Sequence, residues 1–336
     1  MVERARIYAA VSTEELDLLY APATQRELAD LGELVVAGGS GPVEVPAGVA
    51  DEYDVLITSW STATFPPDRL RGSRLRLAVH SAGSVRKLFP REVLMDGTLR
   101  LAQGGSDAMA LPVAELAVTL TLALLRNLHT HDRGLQRTRD WFAGGNGLLG
   151  NGIAHQRIGV VGLSRTGRHY VRMVRGLGAT DVVAYDPYAT PAEAAALGVE
   201  LTDLAALCRG VDVLAVHAPA TPETRHLVSR EMLALLPDGA VVVNTARSAV
   251  VDEPALTDEL VAGRLRAGLD VFDEEPLPPT SPLLGLPNVI LTPHVAGGTV
   301  EARFAQGATV LREVAGFLTD GTLRFEVTAD GYDRLA

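Results

Sequence analysis

At 336 residues the chain exceeds the size at which one hydrophobic core usually keeps growing, so two domains are expected, with a ligand cleft between them. Hydrophobic residues at 47% and charged residues at 21% exclude a disordered or fibrous class. A net charge of −11 with no basic block argues against nucleic acid, and the single cysteine excludes internal disulfides and thiolate metal sites.

The chain opens on Glu3, Arg4 and Arg6, a short strand, and then Glu14 and Glu15, which interrupt any hydrophobic signal core; a cytoplasmic location is expected. Strand-like runs "RIYAAV", "ELVVAG", "DVLITS" and "LRLAVHS" follow, with a helix over roughly Glu14 to Leu31 between the first two. This is the βαβ rhythm of a parallel sheet covered on both faces. A helical pattern runs from about Asp107 to His131. Its apolar stretch Glu115 to Leu125 is too short for a bilayer and reads as a buried helix. After it comes a Gly- and Asn-punctuated arm, "RGLQRTRDWFAGGNGLLGNG".

The rhythm then restarts with "RIGVVG", "DVVAYD", "DVLAVHAP", "AVVVNTA", "AGLDVF" and "NVILTPH". Their carboxyl ends carry Gly162, Asp186, Pro219, Arg247, Asp270 and His294. In an open parallel sheet those ends border one ligand crevice. A last helix, from a glycine-rich start after His294, is placed against the first domain. The expected fold is therefore α/β, two Rossmann-like or flavodoxin-like domains with parallel sheets and an active-site cleft between them. The substrate domain is discontinuous, 1–106 plus 298–336, and 107–297 forms the nucleotide domain. Cys208, within "LAALCRG", is expected to be a small buried hydrophobe.

The stretch "VVGLSRTG" is nearly the G-x-G-x-x-G turn that seats a dinucleotide pyrophosphate on a helix N-terminus, with Gly162 and Gly167 as first and third glycines and Ser164 as the second. Ser164 is expected to weaken or displace the dinucleotide, with its hydroxyl able to donate to a phosphate oxygen. Arg165 faces either the phosphates or solvent. Asp186 ends the next strand 19 residues beyond Gly167, where an acid accepts bonds from the adenosine ribose and a carboxylate repels a 2′-phosphate, favouring NAD over NADP. The alternative is that Asp186 merely begins the "DPY" turn.

Arg247, Glu275 and His294 each follow a strand and lie 28 and 19 residues apart, so they can converge at one sheet edge. Together they suit hydride transfer between a 2-hydroxy acid and its 2-oxo acid. Histidine exchanges the alcohol proton, a carboxylate orients the ring and favours its protonated form, and arginine grips a carboxylate and polarises the adjacent carbonyl. His129 and His131 sit two apart on a helix, on different faces, and are poor metal ligands; no metal is expected. His155, His169 and His226 read as surface positions, whereas His80 and His217 end strands and either line the cleft or serve structure.

Six blocks carry a resemblance: "PVAEL" at 112–116, "GVVGLSRTGR" at 159–168, "HAPATPETRHLV" at 217–228, "VVNTARSAVVDEPAL" at 242–256, "GLDVFDEEPL" at 268–277 and "LTPHVAGG" at 291–298. They resemble the D-isomer-specific 2-hydroxyacid dehydrogenase family, enzymes of the EC 1.1.1 type. The resemblance implies that Arg247 binds the substrate carboxylate and carbonyl, that His294 is the acid/base and that Glu275 is its partner. It places Asp270 at the nicotinamide carboxamide, with Thr245 and Ala246 near the ring. Gly162, Ser164, Arg165, Thr166, Gly167, Asp186, His217, Ala218, Pro219, Thr224, His294 and Gly297 complete the NAD (NADH) site. The loop "HSAGSVR" at 80–86 corresponds to the family loop whose amides grip the substrate carboxylate, through Ser81, Ala82, Gly83 and Ser84.

Two departures stand out. Family members usually carry G-A-G-V-D where this chain has Ser81 to Val85, and Arg-Gly where it has Arg247-Ser248. The substrate loop is thus atypical, with Arg86 either meeting a second acidic group or staying exposed, and Trp60, Phe65 and Trp141 as candidates to shape the pocket. Similar proteins are dimers that pack the helix after "PVAEL" and the arm through Trp141 across a two-fold, so a homodimer acting on a small 2-oxo or 2-hydroxy acid is expected, with neither nucleic acid nor membrane as partner. Two alternatives remain open. One is an NAD(H)-sensing interaction protein of the same fold. The other is a dehydrogenase of a formate- or phosphite-like donor.

Overall fold

The computed structural model describes residues 4–332 apart from 96, 105, 143 and 146, and of Ser106 and Asp107 only the backbone. Glu3 of the charged start, two residues of the arm and the last four residues lie outside the described set. The chain divides into two compact units, Met1–Met109 with Gly298–Ala336, and Ala110–Gly297.

The first unit begins β1 (Ala5–Ala10), α1 (Thr13–Leu19), α2 (Pro22–Leu31), β2 (Gly32–Val36), α3 (Val49–Glu52), β3 (Val55–Thr58), β4 (Leu77–His80) and β5 (Arg100–Gln103). Its sheet runs β2-β1-β3-β4-β5, every neighbour parallel. The single helix expected over 14–31 is two helices. Pro22 stands at the first turn of α2 and forces Ala21 into extended backbone, which ends α1 at Leu19.

The second unit is built from α4 (Ser106–Leu125), α5 (Leu128–Thr138), β6 (Ile158–Val161), α6 (Arg165–Gly176), β7 (Val182–Tyr185), α7 (Pro191–Leu197), β8 (Glu200–Leu201), α8 (Leu204–Gly210), β9 (Val213–Val216), α9 (Arg230–Leu235), β10 (Val241–Asn244), α10 (Glu253–Val261), β11 (Arg266–Leu269) and β12 (Val289–Leu291). The sheet order is β12-β11-β10-β9-β6-β7-β8, all parallel. Consecutive residues of each central strand enter opposite cores: Val160, Ala215 and Val243 pack on one face, Val161, Leu214, Val216 and Val242 on the other. The order reverses between β6 and β9, the topological switch point where such sheets bind ligands.

The expected helix over 107–131 breaks at Asn127, whose φ of 52° is left-handed, and α5 starts afresh at Leu128. At 20 residues α4 is longer than its apolar run suggested, and Ala108–Leu125 is apolar enough by composition to span a bilayer. Half of that stretch is buried inside the protein, Leu120 and Leu124 covering Gly268 of β11 so closely that a Cβ there would lie 2.9 Å from Leu120. The chain returns to the first unit through α11 (Val300–Asp320), which packs on α1, α2 and β4. Two polar residues on its buried face serve structure: Glu313 accepts from the amides of Arg324 and Phe325, and Gln306 donates to Ser81.

Candidate active site

The glycine turn leaves β6 at the switch point. Gly162 has a φ of 94°, and a Cβ on it would lie 2.7 Å from the Ala218 nitrogen at the end of β9. A Cβ on Gly167 would lie 2.1 Å from the Gly162 carbonyl oxygen, so α6 approaches the strand only because that residue is glycine. Ser164 differs. Its φ of −60° and ψ of 179° suit any residue, and it caps α6, accepting from the Gly167 amide at 3.3 Å while its hydroxyl donates to the His217 carbonyl at 2.9 Å. The hydroxyl proton is therefore committed within the protein. This corrects the expectation that it donates to a phosphate, and the backbone at this position has no need of glycine.

Asp186 begins the turn weighed for it and also braces the glycine turn. Its Oδ2 accepts from the Leu163 amide at 2.7 Å, bracing the glycine turn, and its Oδ1 accepts from Tyr188 and Ala189 in the turn that follows. The carboxylate is thus fixed beside the turn. His217 is 4% exposed and packs against Tyr170 with ring centroids 4.9 Å apart. Neither ring nitrogen has a partner among the described residues, and burial pulls the imidazole down to about 3, so it is neutral. Thr224 donates to the Pro219 carbonyl and accepts from the Thr221 amide, shaping the loop after β9. Thr245 is buried with no partner for its hydroxyl among the described residues. Two glycines that admit no Cβ, a helix N-terminus and a fixed acid are what an adenine dinucleotide needs, and the residues present fit it.

Arg247, Glu275 and His294 gather at the carboxyl edge of β10, β11 and β12. Nδ1 of His294 lies 2.7 Å from Oε2 of Glu275, whose Oε1 accepts from the Phe272 amide at 3.0 Å. Burial alone would raise the Glu275 carboxyl; the hydrogen bonds from His294 and Phe272, with the charges of His294 and Arg247, outweigh it and hold the group below its ordinary value. Arg247 is largely desolvated, which lowers its guanidinium from the ordinary value while the Glu275 charge opposes that shift. Its Nη1 donates to the Ala246 carbonyl, and Asn244 pins the surrounding loop through the Arg247 carbonyl and the Ala246 amide.

His294 has a left-handed φ of 52°, a conformation worth about 1–3 kcal/mol of strain for a residue with a side chain. Asp270 holds it there. Fully buried, Asp270 accepts from Thr292 Oγ1 at 2.5 Å, from the Val295 amide at 2.9 Å and from the Ala296 amide at 2.9 Å, so its carboxylate clasps the loop on both sides of the histidine. Sequence reasoning gave Asp270 only a cofactor contact. The available signal was an acid ending a buried strand, which must find donors.

In the first unit the 81–84 loop follows β4. Ser81 donates to the Thr58 carbonyl and accepts from Tyr20 Oη at 2.6 Å; Gln306 holds the Ser81 carbonyl and Gln103 the Gly83 carbonyl. His80, pulled down to about 4 by burial, sits 2.9 Å from Thr58 Oγ1 and bonds the Ser84 backbone. Among the described residues the amides of Ala82, Gly83 and Ser84 have no partner, leaving donors for an anion. Tyr20 and Gln306 were missed; Gln306, one of three polar residues on the buried face of α11 with Thr309 and Glu313, was the readable one.

The remaining candidates separate. Trp60 carries the Arg303 guanidinium 4.1 Å from its ring centroid, Phe65 packs edge-on to Phe89, and Trp141 is 71% exposed. Arg86 rests on Tyr332. His129 bonds the Pro287 carbonyl, and no cluster that could hold a metal occurs among the described residues. Burial pushes the Cys208 thiol up to about 11, an inert core residue.

A family model described as the NAD binding domain of D-isomer specific 2-hydroxyacid dehydrogenases matches residues 118–296. The chain is 34% identical over 289 residues to D-3-phosphoglycerate dehydrogenase of Methanocaldococcus jannaschii, covering 85% of this chain and 54% of that protein. It is 31% identical over 271 residues to hydroxypyruvate reductase of Thermotoga maritima, covering 79% of this chain and 85% of that one. The chain thus spans about half the length of the phosphoglycerate dehydrogenases it matches. In fold it is similar to a solved D-2-hydroxyisocaproate dehydrogenase, with a TM-score of 0.81, 24% identity, and coverage of 96% and 99% of the two chains.

Proposed function

The chain belongs to the D-isomer specific 2-hydroxyacid dehydrogenase family and carries that family's NAD binding domain, and on this premise we propose that it interconverts a small D-2-hydroxy acid and its 2-oxo acid. The observation that carries the reading is the Glu275–His294 pair at 2.7 Å beside the desolvated Arg247.

NADH, when bound, supplies the hydride for C2 of the oxo acid. Gly162 and Gly167 let the chain approach the pyrophosphate, the N-terminus of α6 faces it, and Asp186 receives the adenosine ribose and disfavours a 2′-phosphate. Arg247 holds the substrate carboxylate in a two-pronged contact and polarises the carbonyl. His294 donates its proton to the carbonyl oxygen as the alcohol forms, and Glu275 keeps the ring oriented and favours its charged form.

We also propose a homodimer through α4, α5 and the arm. Trp141, Phe142 and Leu149 are 71%, 76% and 88% exposed, an apolar surface of the kind that subunit contacts cover.

The test is a screen of 2-oxo acids, hydroxypyruvate, glyoxylate and pyruvate among them, followed by loss of NADH absorbance. Turnover of at least one supports the reading. Tight NADH binding with no turnover on any 2-oxo acid would overturn it in favour of a nucleotide-sensing protein.

A further inference from the structure

On the second unit, the side of α6 that faces α7 borders a groove of about 380 Å³ lined by Arg168, Arg172, Arg175, Glu193, Ala196 and Leu197. The three arginines follow one another at four- and three-residue spacing, which puts them on one helix face over about 10 Å. Like charges so placed repel. A chain with a net charge of −11 has no general excess of cations, so this local concentration needs a reason.

Partners within the protein answer only part of it. Arg168 gives Nε to the Leu163 carbonyl at 2.9 Å and Nη2 to Glu193 at 3.0 Å, and Arg175 gives Nη1 to the Gly198 carbonyl at 2.8 Å. Arg172 is exposed and makes no hydrogen bond or ion pair among the described residues. Glu193 is the one carboxylate in the lining. Its second oxygen is committed to the Thr190 amide and hydroxyl, and those bonds together with Arg168 hold the carboxyl down to about 2. Three guanidiniums thus face one carboxylate that is already used. Ala196 and Leu197 give the groove an apolar side.

We propose that this groove is a binding site for a small polyanion, a compact molecule with two or more phosphate or carboxylate groups seated against Arg172 and Arg175. Guanidinium forks pair with either group in two-pronged fashion, and the span of the arginines accommodates two anionic groups on one small molecule. The size of the groove and the negative charge of the rest of the chain select a small ligand over a nucleic acid.

The experiment is calorimetric titration at constant ionic strength with tripolyphosphate and, separately, tricarballylate, each added to the protein alone and to the protein saturated with NADH. NADH loading is read by its own fluorescence, so a failure to load bears on the dehydrogenase reading and leaves the groove titration intact. The expected result is one saturable site for at least one of the two anions, present with and without NADH and at least tenfold weaker in Arg172→Gln/Arg175→Gln. The anion that binds tells phosphate from carboxylate recognition. Glu193→Gln, which removes the lining carboxylate and keeps a capping side chain, should tighten binding severalfold, a gain that misfolding cannot imitate. No saturable heat with either anion would overturn the proposal, as would equal affinity in the double arginine variant. Binding that NADH abolishes and the double variant retains would place the anion on the glycine turn instead and overturn it as well.

Discussion

Nδ1 of His294 lies 2.7 Å from Oε2 of Glu275, which leaves Nε2 as the ring nitrogen with no partner among the described residues. A histidine anchored at one nitrogen and open at the other is arranged to pass a proton at the open one. Replacing His294 with Ala should lower turnover by roughly 10² to 10⁴ and leave NADH affinity nearly unchanged. Steady-state rates beside an NADH titration check this; wild-type turnover would remove His294 from the chemistry.

The same contact sets a pH dependence. Glu275 stays ionised because its hydrogen bonds and neighbouring positive charges outweigh its burial. Glu275→Gln removes the charge that favours imidazolium, so the falling limb of the rate–pH profile for oxo-acid reduction should move to lower pH. A profile that stays in place would show that the two groups are not coupled.

Asp270 can be tested by stability as well as by rate. Asn in its place offers one acceptor oxygen to a loop that presents three donors, and its amide hydrogens face the rest. The expected outcome for Asp270→Asn is a loss of about 1–3 kcal/mol of stability with a fall in kcat, because the strained His294 backbone loses its clasp. Thermal melts and single-turnover rates measure the two effects; an unchanged melting temperature would contradict the clasp.

The two ends of the glycine turn should respond differently. Gly167→Ala drives a methyl to 2.1 Å from the Gly162 oxygen and should weaken NADH binding tenfold or more. Ser164→Gly removes a helix cap whose loss to glycine costs only a few tenths of a kcal/mol, so NADH affinity should change less than about threefold. Calorimetry with NADH and NADPH reads both, and the Asp186 charge predicts a marked preference for NADH.

His217 supplies a stability test. Its folded-state value of about 3 lies below the ordinary histidine value of 6.5, so the unfolded chain binds the proton first. The neutral ring's contribution is complete above pH 6.5 and is lost as pH falls toward 3. At pH 5 the penalty is about 2 kcal/mol relative to pH 8, and it should vanish in His217→Leu. Melting temperatures of both proteins at the two pH values decide the matter.

Much of the site was legible in the residues. Gly162 and Gly167 flank a strand-to-helix turn, and Arg247, Glu275 and His294 follow apolar runs at spacings that only a parallel sheet brings to one edge. The helix break at Pro22 was also readable, since proline restricts the residue before it. The break at Asn127 was not, because an asparagine is as common inside a helical pattern as at its end.

What the sequence determined by itself was the alternation of strands and helices, the parallel sheets and the residues standing at the strand ends, because these follow from local periodicity and from where apolar runs stop. The tertiary structure alone decided the partners. Ser164 gives its proton to a carbonyl 53 residues away, and Asp270 clasps a loop 25 and 26 residues further on. Such pairings depend on which strand lies beside which and on how each side chain turns in its packed surroundings, and neither is encoded in any short stretch of the chain.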